Sequence, residues 1–242
     1  MHGFYIEPPA DGLAALPAEE AKHAAKVLRL RPGDEVCAMD GAGGRWRARI
    51  AEIDGSRAFV RLTEPLESHE PPVRLTVYQG LPKADKLDFI VQKLTELGAA
   101  ALVPVKMERC VVKPEGRDGE KRRERLERIV REAAKQCGRG LPLRVFQPLG
   151  WNQALADMAQ RDLLLVPWEE ARVERMKDVF AQDSGARDIG IVVGPEGGMS
   201  RAEVEAMLAI GARAITLGPR ILRAETASVA SAALAMQLWG DL

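Results

Sequence analysis

Ile191-Val192-Val193-Gly194-Pro195-Glu196-Gly197-Gly198-Met199-Ser200-Arg201-Ala202-Glu203 passes from an apolar strand, through a glycine-rich turn, into a helix. The three leading residues are β-branched and apolar, the composition of a buried strand. Ser200 and Glu203 stand at capping-box spacing, so the helix starts directly after the turn. Strand, turn and helix in this order make one βα unit of a parallel sheet, and ligands of such sheets bind beyond the carboxyl ends of the strands. Glycines there let the backbone approach a ligand closely. A tight connection with no ligand fits the segment equally well.

A second segment of the same kind lies downstream. Leu217-Gly218-Pro219-Arg220-Ile221-Leu222-Arg223-Ala224-Glu225-Thr226-Ala227 follows a candidate strand, Ala214–Leu217, and leads into a helix, Ala224–Leu238. Two such turns at the ends of late strands could form the two walls of one pocket. Arg220, Arg223 and Glu225 are dense charge for such a connection; ordinary surface charge is the competing reading. Neither turn matches GxGxxG, and no GxxxxGK[ST] occurs, which argues against a dinucleotide fingerprint and a P-loop.

Working outward, strands alternate with helices. Candidate strands at Leu75–Gln79, Ala101–Val105, Leu143–Phe146, Leu163–Val166 and Ile189–Val193 are separated by helical patterns such as Lys86–Leu97, Glu120–Cys137 and Arg201–Ile210. This alternation specifies an α/β domain, a parallel sheet covered by helices on both faces. The first ~65 residues differ, with short strands at Val36–Met39, around Trp46–Ile50 and at Ala58–Leu62, one helix at about Ala18–Leu28, and tight turns at Asp40–Gly44 and Asp54-Gly55. A small β-barrel is the expectation there. Thr63–Val73, with Pro65, Pro71 and Pro72 among charged residues, reads as the linker.

Composition narrows the function classes. The 242 residues hold 35 Lys+Arg and 35 Asp+Glu, a formal net charge of zero. From Lys83 to Arg144, however, sixteen Lys/Arg face ten Asp/Glu. Screening confines each charge to roughly 8–10 Å, so a local cluster can serve an anionic partner in a neutral chain. Cys37, Cys110 and Cys137 form no CxxC, so neither a disulfide framework nor a zinc site is indicated. Three scattered histidines build no metal site. No signal peptide and no run of roughly 20 apolar residues is visible, which makes the reducing cytoplasm the expected compartment.

The two turns together resemble the SPOUT methyltransferases, and most of all the RsmE family, which methylates N3 of a uridine in small-subunit (16S) ribosomal RNA. The likeness continues through Lys83-Ala84-Asp85-Lys86-Leu87-Asp88, Gln92-Lys93, Thr95-Glu96-Leu97-Gly98, Arg109 and Ala133–Arg139. At the N-terminus it includes His23–Asp34. It implies a PUA-like RNA-binding β-barrel at 1–68 and a SPOUT α/β domain at 74–242, with a C-terminal trefoil knot around Gly194–Ala227. Pattern reading would not propose the knot, because threaded chains are nearly absent from proteins. A homodimer with its active site near the interface is also implied. The chain carries His2-Gly3 where family members commonly carry arginines, and Ala84, Gly140 and Ala224 where Gly, Ser and a hydroxyl residue are frequent.

The resemblance implies S-adenosylmethionine as cofactor, held by Gly194, Pro195, Glu196, Gly197 and Gly198 on one side and by Leu217, Gly218, Ile221, Leu222, Thr226 and Ala227 on the other. Uracil N3 carries a proton, and its loss spreads negative charge onto the neighbouring carbonyl oxygens. A positioned arginine stabilises that charge by the logic of an oxyanion site. Arg223 and Arg109 are the candidates, while Glu225 and Glu196 are candidate bases that could instead anchor an arginine. The implied RNA contacts are His23, Arg29, Arg45, Arg47, Lys83, Lys86, Arg123, Gln136 and Arg139.

Two basic rows carry both readings. In the helix from Glu120, Leu126, Ile129, Val130, Ala133 and Cys137 form a buried stripe. The other face carries Arg122, Arg123, Arg125, Arg128, Arg131 and Lys135, with interleaved glutamates that could pair them. Arg45, Arg47 and Arg49 share one strand face and need something acidic opposite, either RNA phosphate or a neighbouring strand's carboxylates. The rival functions are a SPOUT enzyme acting on a ribose 2′-hydroxyl of transfer or ribosomal RNA, a non-catalytic RNA-binding protein, and an unrelated nucleotide-binding α/β enzyme.

Overall fold

A computed structural model describes residues 1–111, 117–171 and 174–242, with the backbone alone at Ala84 and at 117–119. The chain forms two compact units, residues 1–70 with 131–142, and residues 71–130 with 143–242.

In the first unit, β1 (His2–Tyr5), β2 (Leu13–Ala15), β3 (Glu35–Met39), β4 (Arg45–Ile53) and β5 (Ala58–Pro65) form one sheet in the order β1-β3-β4-β5-β2. The period-2 pattern of β4 is realised: Ala48 and Ile50 are buried while Arg47 and Arg49 face out. Helix α1 (Ala18–Lys22) widens into a π-helical turn at His23–Val27, so the expected helix ends as one loose turn. The expected closed barrel is not found as a ladder among the described residues. The strands β1 and β2 are its open edges, and beyond the end of β1 the Glu7 N–H donates to Ala15 O of β2 at 3.0 Å. Both are very short, and Pro8 and Pro9 between them have no N–H to extend the pairing.

The second unit is the expected parallel sheet. It contains β6 (Arg74–Gly80), β7 (Ala101–Lys106), β8 (Arg144–Val145), β9 (Leu149–Gly150), β10 (Leu163–Pro167), β11 (Asp188–Val193) and β12 (Arg213–Ile215). The order is β12-β10-β11-β6-β7-β8, with β9 beside β7, and every pairing is parallel. The helices are α2 (Ala84–Glu96), α3 (Arg117–Cys137), α4 (Trp151–Met158), α5 (Met176–Asp183), α6 (Arg201–Ala209) and α7 (Ala224–Trp239).

Alternation along each strand divides its side chains between two cores, as the pleat requires. Leu75, Val77, Leu165, Ile191 and Val193 pack with residues of α2, α5 and α7 on one face. Tyr78, Leu164, Val166 and Val192 pack with α4 and α6 on the other. A sheet buried on both faces needs near-continuous apolar strands, which is why β10 and β11 stand out in the sequence. Among the described residues no helix is long and apolar enough to cross a membrane.

Candidate cofactor pocket

Strand β11 ends at Val193 and releases the chain into the first turn. The Gly198 N–H donates to Pro195 O at 2.9 Å, with Gly198 at φ +71°, the left-handed region where a side chain is strained. The capping box forms: Ser200 N donates to Glu203 Oε2 at 2.8 Å, and Glu203 N to Ser200 Oγ at 3.3 Å. The second oxygen of Glu203 accepts the Glu108 N–H at 2.8 Å, so the β7–α3 connection is tied to the start of α6. Arg109 on that connection donates from Nη1 to Gly197 O at 3.2 Å.

The second turn runs from Thr216 to Arg223. The Gly218 N–H donates to Thr216 Oγ1 at 3.1 Å, and Arg223, in extended conformation, precedes the first residue of α7. Buried Gln79 at the end of β6 joins the two turns. Its amide nitrogen donates to Gly194 O at 3.2 Å and Gly80 O at 3.0 Å, while its carbonyl accepts from Ser228 Oγ on α7. Removing the hydroxyl leaves that carbonyl buried without a donor. Ser228→Ala is therefore expected to cost about 1–3 kcal/mol, read by urea denaturation. An unchanged denaturation midpoint would mean that the two turns are held independently.

The turns enclose a cavity of about 460 Å³. Of the residues expected to hold a cofactor, Gly194, Pro195, Glu196, Gly197, Gly198, Leu217, Gly218, Ile221, Leu222 and Ala227 line it. Thr226 does not: it is exposed on α7, because one residue turns about 100° on a helix and the wall is made by Ala224 and Ala227, three apart. Three wall residues carried no local signal: Pro167, Trp168 and Glu169, at and beyond the end of β10. Only the sheet order, with β10 between β12 and β11, brings them to the site. Ile221 reaches into the mouth at 88% exposure.

Lys86 on α2 lies between two carboxylates, 3.1 Å from Glu225 and 3.4 Å from Glu196. Burial alone would raise the Glu196 pKa. The Lys83 N–H, donating at 3.1 Å, and the Lys86 ammonium outweigh it and hold the carboxyl below its ordinary value. A depressed folded-state pKa stabilises above the unfolded value, about 4.3, and the contribution is lost as pH falls through the lower folded value. The stability difference between wild type and Glu196→Gln is therefore expected to be constant from pH 5 to 8 and to close below about pH 4. Denaturation midpoints measured across that range check it, and a gap that persists at pH 3 would contradict the assignment.

An RNA methyltransferase domain model matches residues 69–236, and an RNA methyltransferase PUA domain model matches residues 16–63. The chain is 35% identical to ribosomal RNA small subunit methyltransferase E of Bacillus subtilis, over 94% of this chain and 93% of that one. It is 32% identical to the protein of the same name from Aquifex aeolicus, over 98% and 99%. The chain belongs to the ribosomal RNA small subunit methyltransferase E family. Among solved structures, the family member from Neisseria gonorrhoeae, bound to S-adenosyl methionine, is similar over 100% of this chain and 99% of that one, with TM-score 0.89 and 32% identity. A Legionella pneumophila methyltransferase in complex with the same cofactor covers 99% and 98%, with TM-score 0.87 and 28% identity.

The remaining expected residues fall in different settings. Arg223 lines the cavity and is exposed. Glu225 does not line it and pairs with Lys86, so its geometry is that of an anchor rather than a base in contact with substrate. Lys83 is exposed beside the mouth, its N–H on Glu196, and Lys86, expected on the RNA side, is instead part of the cavity wall.

On the first unit, Arg29 is exposed at φ +53°, His23 is half-buried and Gln136 is exposed. Arg47 pairs with Glu64 at 3.0 Å and Arg49 with Glu35 at 2.7 Å, while Arg45 donates to Glu67 O at 2.6 Å. Neighbouring carboxylates thus balance two of the three arginines on β4. Arg139 corrects its expectation as an RNA contact. It is 3% exposed, and its Nε and Nη2 both donate to Glu70 Oε2, at 3.1 and 2.8 Å, while Glu70 Oε1 accepts the Leu141 N–H at 3.0 Å, which braces the unit. On α3, Arg125 pairs with Asp88 and Arg123 with Glu127 at 3.7 Å, whereas Arg128 and Arg131 are exposed.

Proposed function

We propose that this protein transfers a methyl group from S-adenosylmethionine to small-subunit ribosomal RNA, at N3 of a uridine. The observation that carries this is the cavity between the Gly194–Met199 and Thr216–Arg223 turns, at the carboxyl rim of a sheet whose family relative from Neisseria gonorrhoeae binds S-adenosyl methionine.

The residues present fit that cofactor. A Cβ on Gly197 would stand 3.1 Å from Arg109 Cβ and 3.2 Å from Arg109 O, so the turn packs closely on Arg109, and its backbone N–H and C=O groups can read the polar edge of a purine. Trp168, Ile221 and Leu222 supply apolar faces, and the Glu169 carboxylate complements a positively charged ligand. The bound cofactor supplies an electrophilic methyl on a sulfonium, chemistry that needs an aligned nucleophile and no metal. The chain's contribution is orientation, which can supply several kcal/mol of the barrier. Arg223 at the mouth stabilises the charge that develops on the uracil carbonyl oxygens as N3 loses its proton. Lys86 helps hold Glu196 ionised and pairs with Glu225, fixing both carboxylates in place.

The same reading assigns RNA holding to a PUA-like domain at 1–68 and catalysis to 74–242, with Gly194–Ala227 forming a knotted segment. It makes the enzyme a cytoplasmic homodimer acting on an assembling or assembled subunit. Exposed Leu234 on α7 and Ile221 at the cavity mouth are the apolar side chains such a dimer would cover.

The test is transfer of labelled methyl to small ribosomal subunits lacking this modification, with free ribosomal RNA alongside, followed by nucleoside mass analysis. Label in N3-methyluridine is the expected result. Label on a ribose 2′-hydroxyl keeps the fold and overturns the target atom. Absence of cofactor binding would sink the methyltransferase reading.

A further inference from the structure

A second cavity, about 350 Å³, opens on the same rim of the second unit's sheet. The cofactor cavity takes its walls from the ends of β12, β10 and β11, where Thr216, Pro167 and Val193 stand. The second takes its walls from the ends of β7 and β8, at Lys106 and Val145, and from Leu81 just past β6. At about 4.8 Å per strand, the three steps from β10 to β7 set the two cavities about 14 Å apart. The β6–α2 segment divides them, with Lys86 facing one cavity and Leu81 and Leu87 the other.

The second cavity is built for an anion attached to a flat apolar group. Lys106, Arg122 and Arg123 line it against one acid, Glu120. Arg122 is the decisive residue. Its Nε and Nη2 are shielded from solvent, and neither has a hydrogen-bond partner among the described residues. Buried guanidinium nitrogens without acceptors are rare in native proteins, and their planar fork matches a phosphate. Lys106 forms no ion pair among the described residues. Phe146 also lines the cavity, and the Arg144 guanidinium carbon lies 4.3 Å from its ring centroid. The guanidinium covers that ring face, and a guanidinium plane backed by an aromatic ring is a platform for an unpaired base.

We propose that this cavity holds a nucleotide of the RNA strand close to the target uridine, with its phosphate on Arg122 and Lys106 and its base against Phe146. The proposal rests on the RNA-methylating reading above. It gives the enzyme two grips on one single-stranded segment, the second of which positions the target over the cofactor.

The test is fluorescence anisotropy of the full chain with a labelled single-stranded oligoribonucleotide, beside cofactor affinity, melting temperature and methyl transfer. Arg122→Met is expected to weaken oligonucleotide binding about tenfold. It should also reduce the slope of log affinity against log salt by about 0.7, with cofactor affinity unchanged. Because Nε and Nη2 of Arg122 are buried with no hydrogen-bond partner among the described residues, Arg122→Met is expected to melt no lower than wild type. Lys106→Ala, on the rim, is expected to weaken binding in the same direction. Unchanged oligonucleotide affinity in both variants overturns the proposal, as does a lowered melting temperature with weakened cofactor binding, which would mark Arg122 as structural. Arg122-dependent binding of uridine 5′-monophosphate without binding of the oligonucleotide overturns it too, in favour of a free nucleotide. Methyl transfer by wild type reports on the parent reading separately, since anisotropy does not depend on turnover.

Discussion

Arg223→Ala is expected to lower the methyl-transfer rate about 100- to 1000-fold, the range typical of removing one donor from an oxyanion site. Cofactor affinity should stay within about twofold, because the proposed reading gives the cofactor to the Gly194 and Gly218 turns and the substrate to Arg223, which lines the same cavity. Its backbone is fixed independently of its side chain, in extended conformation at the start of α7 and with its carbonyl accepting the Ala227 N–H at 2.8 Å. Truncation therefore removes charge and leaves the scaffold in place. Arg223→Lys should recover only part of the rate, since an ammonium keeps the charge but loses the planar fork that can span a carbonyl and its neighbour. Arg109 is the internal comparison. Its guanidinium donates to Gly197 O, so Arg109→Ala should act through the cofactor wall and raise the cofactor Kd. Single-turnover kinetics with a separate binding titration divide the two effects. A normal rate constant for Arg223→Ala with a raised RNA KM would turn Arg223 into a phosphate contact.

The parts of this protein that are legible in the sequence are those where local pattern and tertiary setting agree. The strands β10 and β11 are read correctly because a strand buried on both faces must be apolar throughout, and Ser200 with Glu203 is read because a capping box is a local device. The strands β1 and β2 escape because three or four residues carry too little alternation to register. The helices α4 and α5 are eight residues each, scarcely two turns of periodicity. In the site, both turns are visible as glycine and proline punctuation after apolar runs. Trp168 and Glu169 are not, since their place in the wall depends on strand order. Gln79, which reads as one more residue of a strand, becomes the link between the two walls only because β6 lies beside β11. The Arg139 misreading has the opposite cause. A charged residue after a basic helix reads as surface, and its partner Glu70 is 69 positions away. One general rule would have recovered part of this: residues just past the carboxyl ends of parallel strands are site candidates whatever their type.

Gly80 shows how far the cofactor wall depends on a position that no motif marks, and Gly80→Ala is expected to raise the cofactor Kd at least about 100-fold. A Cβ at this last residue of β6 would lie 2.5 Å from Pro195 Cδ, 2.6 Å from Pro195 N and 2.9 Å from Gly194 C. Two of these are backbone atoms and the third belongs to a rigid ring, so no rotamer change relieves the overlap. The turn must retreat by roughly 1 Å to reach ordinary contact, and the Gln79 amide that spans Gly80 O and Gly194 O is stretched with it. Overpacking of this kind costs typically about 1–3 kcal/mol, occasionally more, so a lower denaturation midpoint should accompany the binding loss. Gly185→Ala is the control: nothing lies within 4 Å of its added Cβ, and neither stability nor binding should move far. The pairing with Arg223→Ala carries the interpretation. If the cavity is the cofactor site and Arg223 the charge stabiliser, one variant loses binding and the other loses rate. A Gly80→Ala protein that melts early yet binds cofactor like wild type would separate the Gly194 turn from the cofactor and leave the methyl donor to be sought elsewhere on the rim.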